Sequence, residues 1–340
     1  MRPTINRRAL IASGAALIAL PSLAKAAPAE TRPTLRRLSS GLDRIVAPNV
    51  AIETIATGMQ WAEGPVWVRD GGYLLFSDPP ANIIRRWSRN DGASLFLQPS
   101  GTAGLDPALV REAGSNGLAL DRQGRLLIAN SGGRSIDRLD LRTRTRTVLV
   151  DRYQGKRFNS CNDMTLSRTG AIYFTDPPYG FAKGDESPLK EVAQNGVYRW
   201  TEGGAAVLVT GALTRPNGLA LSPDERRLFV SNSDEKDRRI VAIDLDAAGL
   251  PSGAPRTFLD ASALSGPGNP DGMKIAADGT MFCSSPGGLW ILTPEGERLG
   301  LIEHGAPIAN CCFGEDGRTL FMTANDRVLR MPLKIDGWRA

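Results

Sequence analysis

The sequence predicts an all-β fold, a single six-bladed β-propeller. Three observations carry that prediction. A unit made of a polar opening residue, a short apolar strand, a polar turn and a second apolar strand recurs six times. The recurrences run at similar spacing along nearly the whole chain. Glycine and proline are abundant, 37 and 23 of 340 residues, as many short strands and tight turns require.

The six units are Glu63–Asp78, Asn116–Asn130, Asn162–Asp176, Asn217–Asn232, Asp271–Ser285 and Asn310–Ala324. Their opening residues are 53, 46, 55, 54 and 39 positions apart, spacing that suits one four-stranded blade per repeat. The second unit shows all four strands: Leu118–Asp121, Arg125–Asn130, Ser135–Leu141 and Thr145–Asp151, with polar turns at 122–124 and 142–144. The last unit runs out near Lys334 and has room for three strands. Val50–Ala56, ahead of the first unit, reads as the missing strand, which would close the ring and remove its open edge. Thr102–Ala113 reads as a short helix or lid inserted before the second unit. Residues 27–49 form an arm, 50–336 the propeller domain, and no second domain is indicated. A two-sheet sandwich would not produce six equivalent units.

The first 26 residues belong to targeting. Arg2, Arg7 and Arg8 precede an apolar run from Ala9 to Leu23, and Ala24-Lys25-Ala26 fits a small-x-small cleavage site. Arg7-Arg8 resembles a twin-arginine leader, so export to the periplasm is expected. The run is shorter than the roughly 20 residues that span a bilayer, and no later stretch is long and apolar enough. The chain has 41 Lys+Arg against 36 Asp+Glu; removing the four leader cations leaves 37 against 36. The basic excess is therefore mostly the leader's, and nucleic acid is not an expected partner. Cys161, Cys283, Cys311 and Cys312 show no C-x-x-C spacing, which argues against structural zinc. They can be buried thiols, or supply one disulfide in an oxidising compartment.

Equivalent positions in a radial array lie at one height around the axis. If the openers precede the innermost strands, Glu63, Asn116, Asn162, Asn217, Asp271 and Asn310 converge on one mouth of the central channel. That is two carboxylates and four amides, all oxygen donors. Two carboxylates match one divalent cation, and mixed oxygen ligation favours Ca²⁺, with Mg²⁺, Mn²⁺ and Zn²⁺ as alternatives. The chain holds one histidine, His304, so sites of several imidazoles are excluded by inventory. Asn-Gly and Asp-Gly are also common turn dipeptides. Six openers in register, and Glu63 before Gly-Pro, favour a shared site; a carboxylate on an inner strand is costly without a partner.

Ala62-Glu-Gly-Pro-Val-Trp67, Gly155-Lys-Arg-Phe-Asn-Ser-Cys-Asn-Asp163, Tyr173-Phe-Thr-Asp-Pro-Pro-Tyr-Gly180, Arg215-Pro-Asn-Gly-Leu-Ala-Leu-Ser-Pro-Asp224 and Pro270-Asp-Gly-Met273 resemble the regucalcin (senescence marker protein) and gluconolactonase family. The likeness is closest to its bacterial gluconolactonase-like branch and covers nearly all of residues 55–333. It implies a six-bladed propeller with one divalent cation held by Glu63, Asn162, Asn217 and Asp271. It implies that Asn162 also serves substrate and that Asn116 and Asp163 line the same pocket. This chain departs from the family at Cys161, where bacterial relatives often carry Pro, and at Asn130-Ser131-Gly132, where they carry Glu-His-Gly. Ser160 stands where regucalcin-like members place a substrate-contacting Arg.

The resemblance makes a metal-dependent lactonase the expected function, with a sugar-acid lactone such as gluconolactone as substrate. Asp271 would take a proton from water or attack the carbonyl itself. Glu63 would hold the ion, and Asn116, Asn162 and Asp163 would hydrogen-bond substrate hydroxyls. Asp176 and Tyr179 read as loop-shaping residues, and His304 as surface or structural. Another metal-dependent esterase or phosphotriesterase, or a non-catalytic ligand-binding propeller, stands as the alternative. A histidine-pair mechanism cannot form with one histidine.

Overall fold

The computed structural model describes residues 32–337. The leader expected over 1–26 lies outside the described residues, as does the start of the arm. The remainder forms a six-bladed β-propeller. Blade one comprises Glu63–Val68, Tyr73–Asp78, Ile83–Ser88 and Gly92–Leu97, in that order from the axis outward. Blade two is Ser115–Leu120, Leu126–Asn130, Ser135–Leu139 and Arg146–Val150. Its four strands fall where the sequence placed them, to within three residues at each end. Blade three begins with Met164–Leu166, blade four with Pro216–Leu221 and blade five with Met273–Ile275. The ring closes because the innermost strand of blade one packs against those of both blade two and blade six.

Blade six is completed as expected. Asn310–Gly314, Thr319–Ala324 and Arg327–Pro332 come from the end of the chain, and Glu53–Thr57 adds antiparallel to the last of them. Thr54 lies opposite Leu329, and Arg330 Nη2 sits 2.7 Å from Glu53 Oε2. The arm is described from residue 32. Thr34–Arg37 forms a fifth, outermost strand on Arg298–Glu303 of blade five. The following turn buries Leu42, Ile45 and Val46 in the seam between blades five and six. Gly300 leaves room for this, since a Cβ there would meet Leu42 Cδ2 at 2.9 Å.

Each seam between consecutive blades is one apolar cluster, and strand periodicity builds it. Leu74 and Phe76 face blade six, while Leu75 between them faces blade two. Leu126 and Ile128 face blade one; Leu127 and Ala129 face blade three. A second strand is thus buried on both sides, which is why its sequence is an unbroken apolar run rather than an alternation. Truncating one such leucine to alanine should cost about 2–5 kcal/mol. Cys311 and Cys312 obey the same rule and enter different seams. All four cysteines are buried free thiols, so the disulfide alternative is not realised.

Of the short helix or lid expected over 102–113, the helix does not form. Gly104 takes a positive φ of 72°, and Pro107 supplies no N–H. Asp106 O accepts from Leu109 and Val110 N–H for one turn only. The segment then leaves for a bridge between Val110 and Phe181 and a hydrogen bond from Arg111 N to Gly180 O of 2.8 Å.

Candidate active site

The last residues of the second strands explain how the opening segments are held. In blade one the Asp78 carboxylate accepts from Gln60 and Trp61 N–H, at 3.2 and 3.1 Å. In blade three Asp176 accepts from Asn159 and Ser160 N–H, at 2.7 and 2.8 Å. In blade four Asn232 Oδ1 accepts from Arg215 N–H at 2.8 Å. In each case the captured amides lie two or three residues before the opener, so the chain is pinned as it turns in toward the axis. Burial pushes the Asp176 carboxyl up to about 7, against the pull of its two N–H donors. Asp176 therefore shapes its loop, as the sequence suggested.

The glycine after an opener serves close approach between blades. A Cβ at Gly64 would lie 2.0 Å from Asn116 O, and one at Gly218 would lie 2.4 Å from Asp271 O. Gly117 and Gly272 are crowded by Asp163 and Asn310 in the same way. The openers therefore sit in a tight ring rather than in turns.

Glu63, Asn116, Asn162, Asn217 and Asp271 line one cleft of about 620 Å³ at the mouth of the channel. Glu63 is only 4% exposed. Its Oε2 accepts from Gly64 N–H at 3.0 Å and its Oε1 from Trp61 Nε1–H at 3.4 Å. Desolvation, with the nearby Asp163 charge, pushes Glu63 up to about 7. Asp271 is raised well above the usual carboxylate range by burial and by the charges of Glu63 and Asp163. No lysine or arginine is among the groups that shift either carboxylate most. A buried Glu63 and a half-buried Asp271, each raised further by the Asp163 charge, crowd negative charge here. A divalent ion with oxygen preference fits that excess. Among the described residues no three His, Cys, Asp or Glu side chains are grouped to hold a metal by themselves. Such an ion must therefore draw on amide oxygens, which Asn162 and Asn217 can supply.

Two predicted residues do not reach the cleft wall. Asp163 lies one layer deeper and is 3% exposed; its Oδ1 accepts from Met164 N–H at 2.8 Å and its Oδ2 from Asn310 Nδ2 at 3.1 Å. Burial raises it, with Lys274 as the largest offset. Asn310 also accepts from Cys311 N–H at 2.9 Å, and its amide hydrogen-bonds the Glu63 carboxylate from beneath. His304 is 4% exposed rather than on the surface; its Nε2 has no hydrogen-bond partner, and burial lowers its pKa. Ser160 is fully buried: Gly180 N–H donates to its hydroxyl at 2.9 Å, so it pins the 177–180 loop instead of facing a ligand.

The sequence reading missed part of the cleft wall. Glu112, Tyr179, Arg215 and Ser233 also line it. Glu112 belongs to the 102–113 insertion, and burial raises its carboxyl despite the Arg111 guanidinium. Tyr179 follows Asp176 in the loop against which that insertion leans; its hydroxyl donates to Arg215 O at 3.3 Å. These residues come from two irregular loops, which leave no repeat pattern to find. A signal did exist for Ser233, which directly follows the Asn217–Asn232 unit and stands two places after Ser231.

A family model described as the SMP-30/Gluconolactonase/LRE-like region matches residues 61–326. The chain belongs to that family. Gluconolactonase from Zymomonas mobilis is 48% identical over 312 residues, covering 89% of this chain and 87% of that one. A structure of a gluconolactonase from Xanthomonas campestris is 30% identical, with a TM-score of 0.75 over 88% of this chain and 94% of that one. Regucalcin from Agrobacterium tumefaciens, a calcium-binding protein, is 18% identical, with a TM-score of 0.67 over 85% of this chain and 96% of that one. At that distance it speaks to the fold alone. The family match covers the ring of openers, from just before Glu63 to beyond Asn310.

Proposed function

We propose that the axial cleft opens a sugar-acid lactone, that Glu63, Asn162, Asn217 and Asp271 hold one divalent cation, best suited to Ca²⁺, and that Asp271 is the general base. Lactone hydrolysis itself follows from the 48% identity with a gluconolactonase over nearly all of both chains. The observation that carries the cation reading is the pair Glu63 and Asp271, two raised carboxylates on one cleft wall beside amide oxygens.

When bound, the cation would polarise the lactone carbonyl and offset the negative charge that grows on its oxygen. The remaining chemistry belongs to the side chains. Asp271, raised by desolvation and then by the charges of Glu63 and Asp163, is a stronger base than a solvated aspartate and takes the proton from the attacking water. Asn116 and Asn162 are each 5% exposed and offer amide donors and acceptors to substrate hydroxyls. Tyr179 and Glu112 bound the cleft and restrict water on the side of the two loops. Asp163 acts from below, by accepting from the Asn310 amide and by raising Glu63 and Asp271.

Export through the Arg7-Arg8 leader is part of the same reading. The test of function is a lactone panel followed by acid release, on protein stripped with EDTA and then given Ca²⁺, Mg²⁺, Mn²⁺ or Zn²⁺ in turn. Turnover should vanish on stripping and return with one of these ions. Full turnover in EDTA would remove the cation from the proposal; no turnover on any lactone with every ion would remove the lactonase.

A further inference from the structure

We infer that Ser233 is a positioning residue whose hydroxyl decides which end of the Asn217 carboxamide faces the axis. The inference rests on the cation reading above. A carboxamide has two ends of nearly equal size, but only its oxygen can ligate a cation; its NH₂ would present hydrogens to the positive charge. Something must therefore hold the amide one way round.

The hydrogen bonds around Ser233 do this. Asn217 Nδ2 donates to Ser233 Oγ at 3.0 Å. Ser233 Oγ in turn donates to the carbonyl oxygen of Pro270. A serine hydroxyl has one proton, and here it is committed to Pro270. Toward Asn217, Ser233 can only accept. Were the amide reversed, Oδ1 would face the lone pairs of Oγ with no proton between them. The partners thus tell the two ends of Asn217 apart, as amide assignments require. The Tyr179 hydroxyl also lies within reach of Ser233. Its own proton goes to Arg215 O at 3.3 Å, so its oxygen is at most a second acceptor for the Ser233 proton, and with either acceptor Ser233 still offers Asn217 only a lone pair.

The same hydroxyl links two of the proposed ligands. Pro270 is the residue before Asp271, so Ser233 ties the Asn217 amide of blade four to the backbone that carries the blade-five carboxylate. Ser231, two residues earlier and therefore on the same side of an extended chain, donates to Asp271 O at 2.7 Å. Two alternate serines at the end of one strand thus grip consecutive carbonyls of the next blade. Asn310 shows the opposite outcome of the same logic. Its Oδ1 accepts from Cys311 N–H, while its Nδ2 donates to Asp163 and also reaches Glu63, so it is the donor end, not the oxygen, that is turned to the carboxylates.

The test uses the full chain and Ca²⁺ alone, with calorimetric Kd values and thermal midpoints of the EDTA-treated proteins. Ser233→Ala should weaken Ca²⁺ binding by about 10- to 100-fold. Ser233→Thr, which keeps the hydroxyl, should stay within about threefold of the wild type, whereas the isosteric Ser233→Val should lose as much as alanine. In an Asn217→Asp background both ends of residue 217 are oxygens, so adding Ser233→Ala should cost less than about threefold. If Ser233→Ala fails to fold, the Thr and Val pair carries the comparison. Wild-type Ca²⁺ affinity in Ser233→Ala or Ser233→Val, or an equal loss in both residue-217 backgrounds, would overturn the positioning role alone. A wild-type chain that binds neither Ca²⁺ nor another divalent ion would overturn the cation reading, and this inference with it.

Discussion

Asn310 Nδ2 on blade six donates to Asp163 Oδ2 on blade three at 3.1 Å, joining opposite sides of the ring. Three blade-to-blade steps separate these residues in either direction, so the bond spans the channel directly beneath the cleft. Asp163 is the residue after an opener, where four of the other five units carry glycine and the sixth carries Cys311. With no glycine there, a side chain enters the axis, and Asn310 satisfies it. Asn310→Ala should therefore destabilise the protein by about 2 kcal/mol, the value of a hydrogen bond to a charged group. The double substitution Asp163→Ala with Asn310→Ala should cost less than the sum of the single ones, because each single change strands the other group. Urea unfolding of the four proteins measures both numbers; additive losses would deny the bond any role.

Removing ligands should separate holding from chemistry. Glu63→Gln is expected to weaken cation binding by more than about 100-fold, beyond the effect usual for a supporting residue. Asp271→Asn should lower kcat by about 10²- to 10⁴-fold at saturating cation, the range for loss of a general base. Full turnover in Asp271→Asn would assign the base elsewhere. Cation binding at pH 7 should also release protons, since Glu63 is pushed up to about 7 and Asp271 is raised well above the ordinary range. Binding enthalpies that do not change between buffers of different ionisation heat would contradict this.

How much of this arrangement could be read in advance depends on whether a feature repeats. Strand positions, ring closure by Glu53–Thr57 and convergence of Glu63, Asn116, Asn162, Asn217 and Asp271 all follow from a period, and a period is visible in one sequence. Glu112 and Tyr179 sit in loops that occur once, so nothing in the chain marks them as neighbours of the openers. The Asn-Gly pairs were open to misreading for a different reason. Glycine is ambiguous between conformational freedom and smallness, and only the neighbouring blade reveals that Gly218 is there for lack of a side chain. Asn310 was indistinguishable from the other amides, because its diversion toward Asp163 is a long-range contact.

The EDTA-treated protein should lose stability as pH rises from about 4 to about 7. Burial raises Glu63, Glu112, Asp163, Asp176 and Asp271 above the ordinary carboxylate range. A raised acid binds its proton more tightly folded than unfolded, so the folded state is favoured at low pH. That advantage fades between the unfolded value of about 3.9 and the folded one. For Asp176 the upper end is about 7. Exposed carboxylates such as Glu202 and Asp260 are held below the usual range by hydrogen bonds, and their contribution is lost only as pH falls below about 4. The two windows do not overlap. Thermal midpoints from pH 4 to 8 should fall with rising pH in the wild type and fall less steeply in Asp176→Asn. Parallel curves would refute the assignment to Asp176.

The proposed export makes a simple demand on the mature chain. If Ala24-Lys25-Ala26 is the cleavage site, periplasmic protein should begin at Ala27, which intact-mass measurement decides. Replacing Arg7 and Arg8 with lysines should leave the full-length precursor inside the cell. Unchanged export of that variant would point to a general secretory leader instead.

The glycines behind the openers offer the sharpest test of the ring as a mechanical unit. A Cβ at Gly218 would lie 2.4 Å from Asp271 O and 2.4 Å from the Gly272 Cα. Both are backbone atoms, which cannot rotate away as a side chain would. Gly218→Ala must therefore push the inner strands of blades four and five apart, at about 1–3 kcal/mol for an overpacked site. Gly203 is the useful contrast: its φ is positive, at 77°, but nothing lies within 4 Å of a Cβ there. Gly203→Ala should cost about 1 kcal/mol of backbone strain and leave the axis alone. The two variants should then differ in kind. Gly218→Ala moves Asp271 relative to Asn217, so it should weaken Ca²⁺ binding beyond what its stability loss explains, whereas Gly203→Ala should leave the Kd unchanged. Equal Ca²⁺ affinity in both would mean that the spacing of these two blades does not control the ligands they carry.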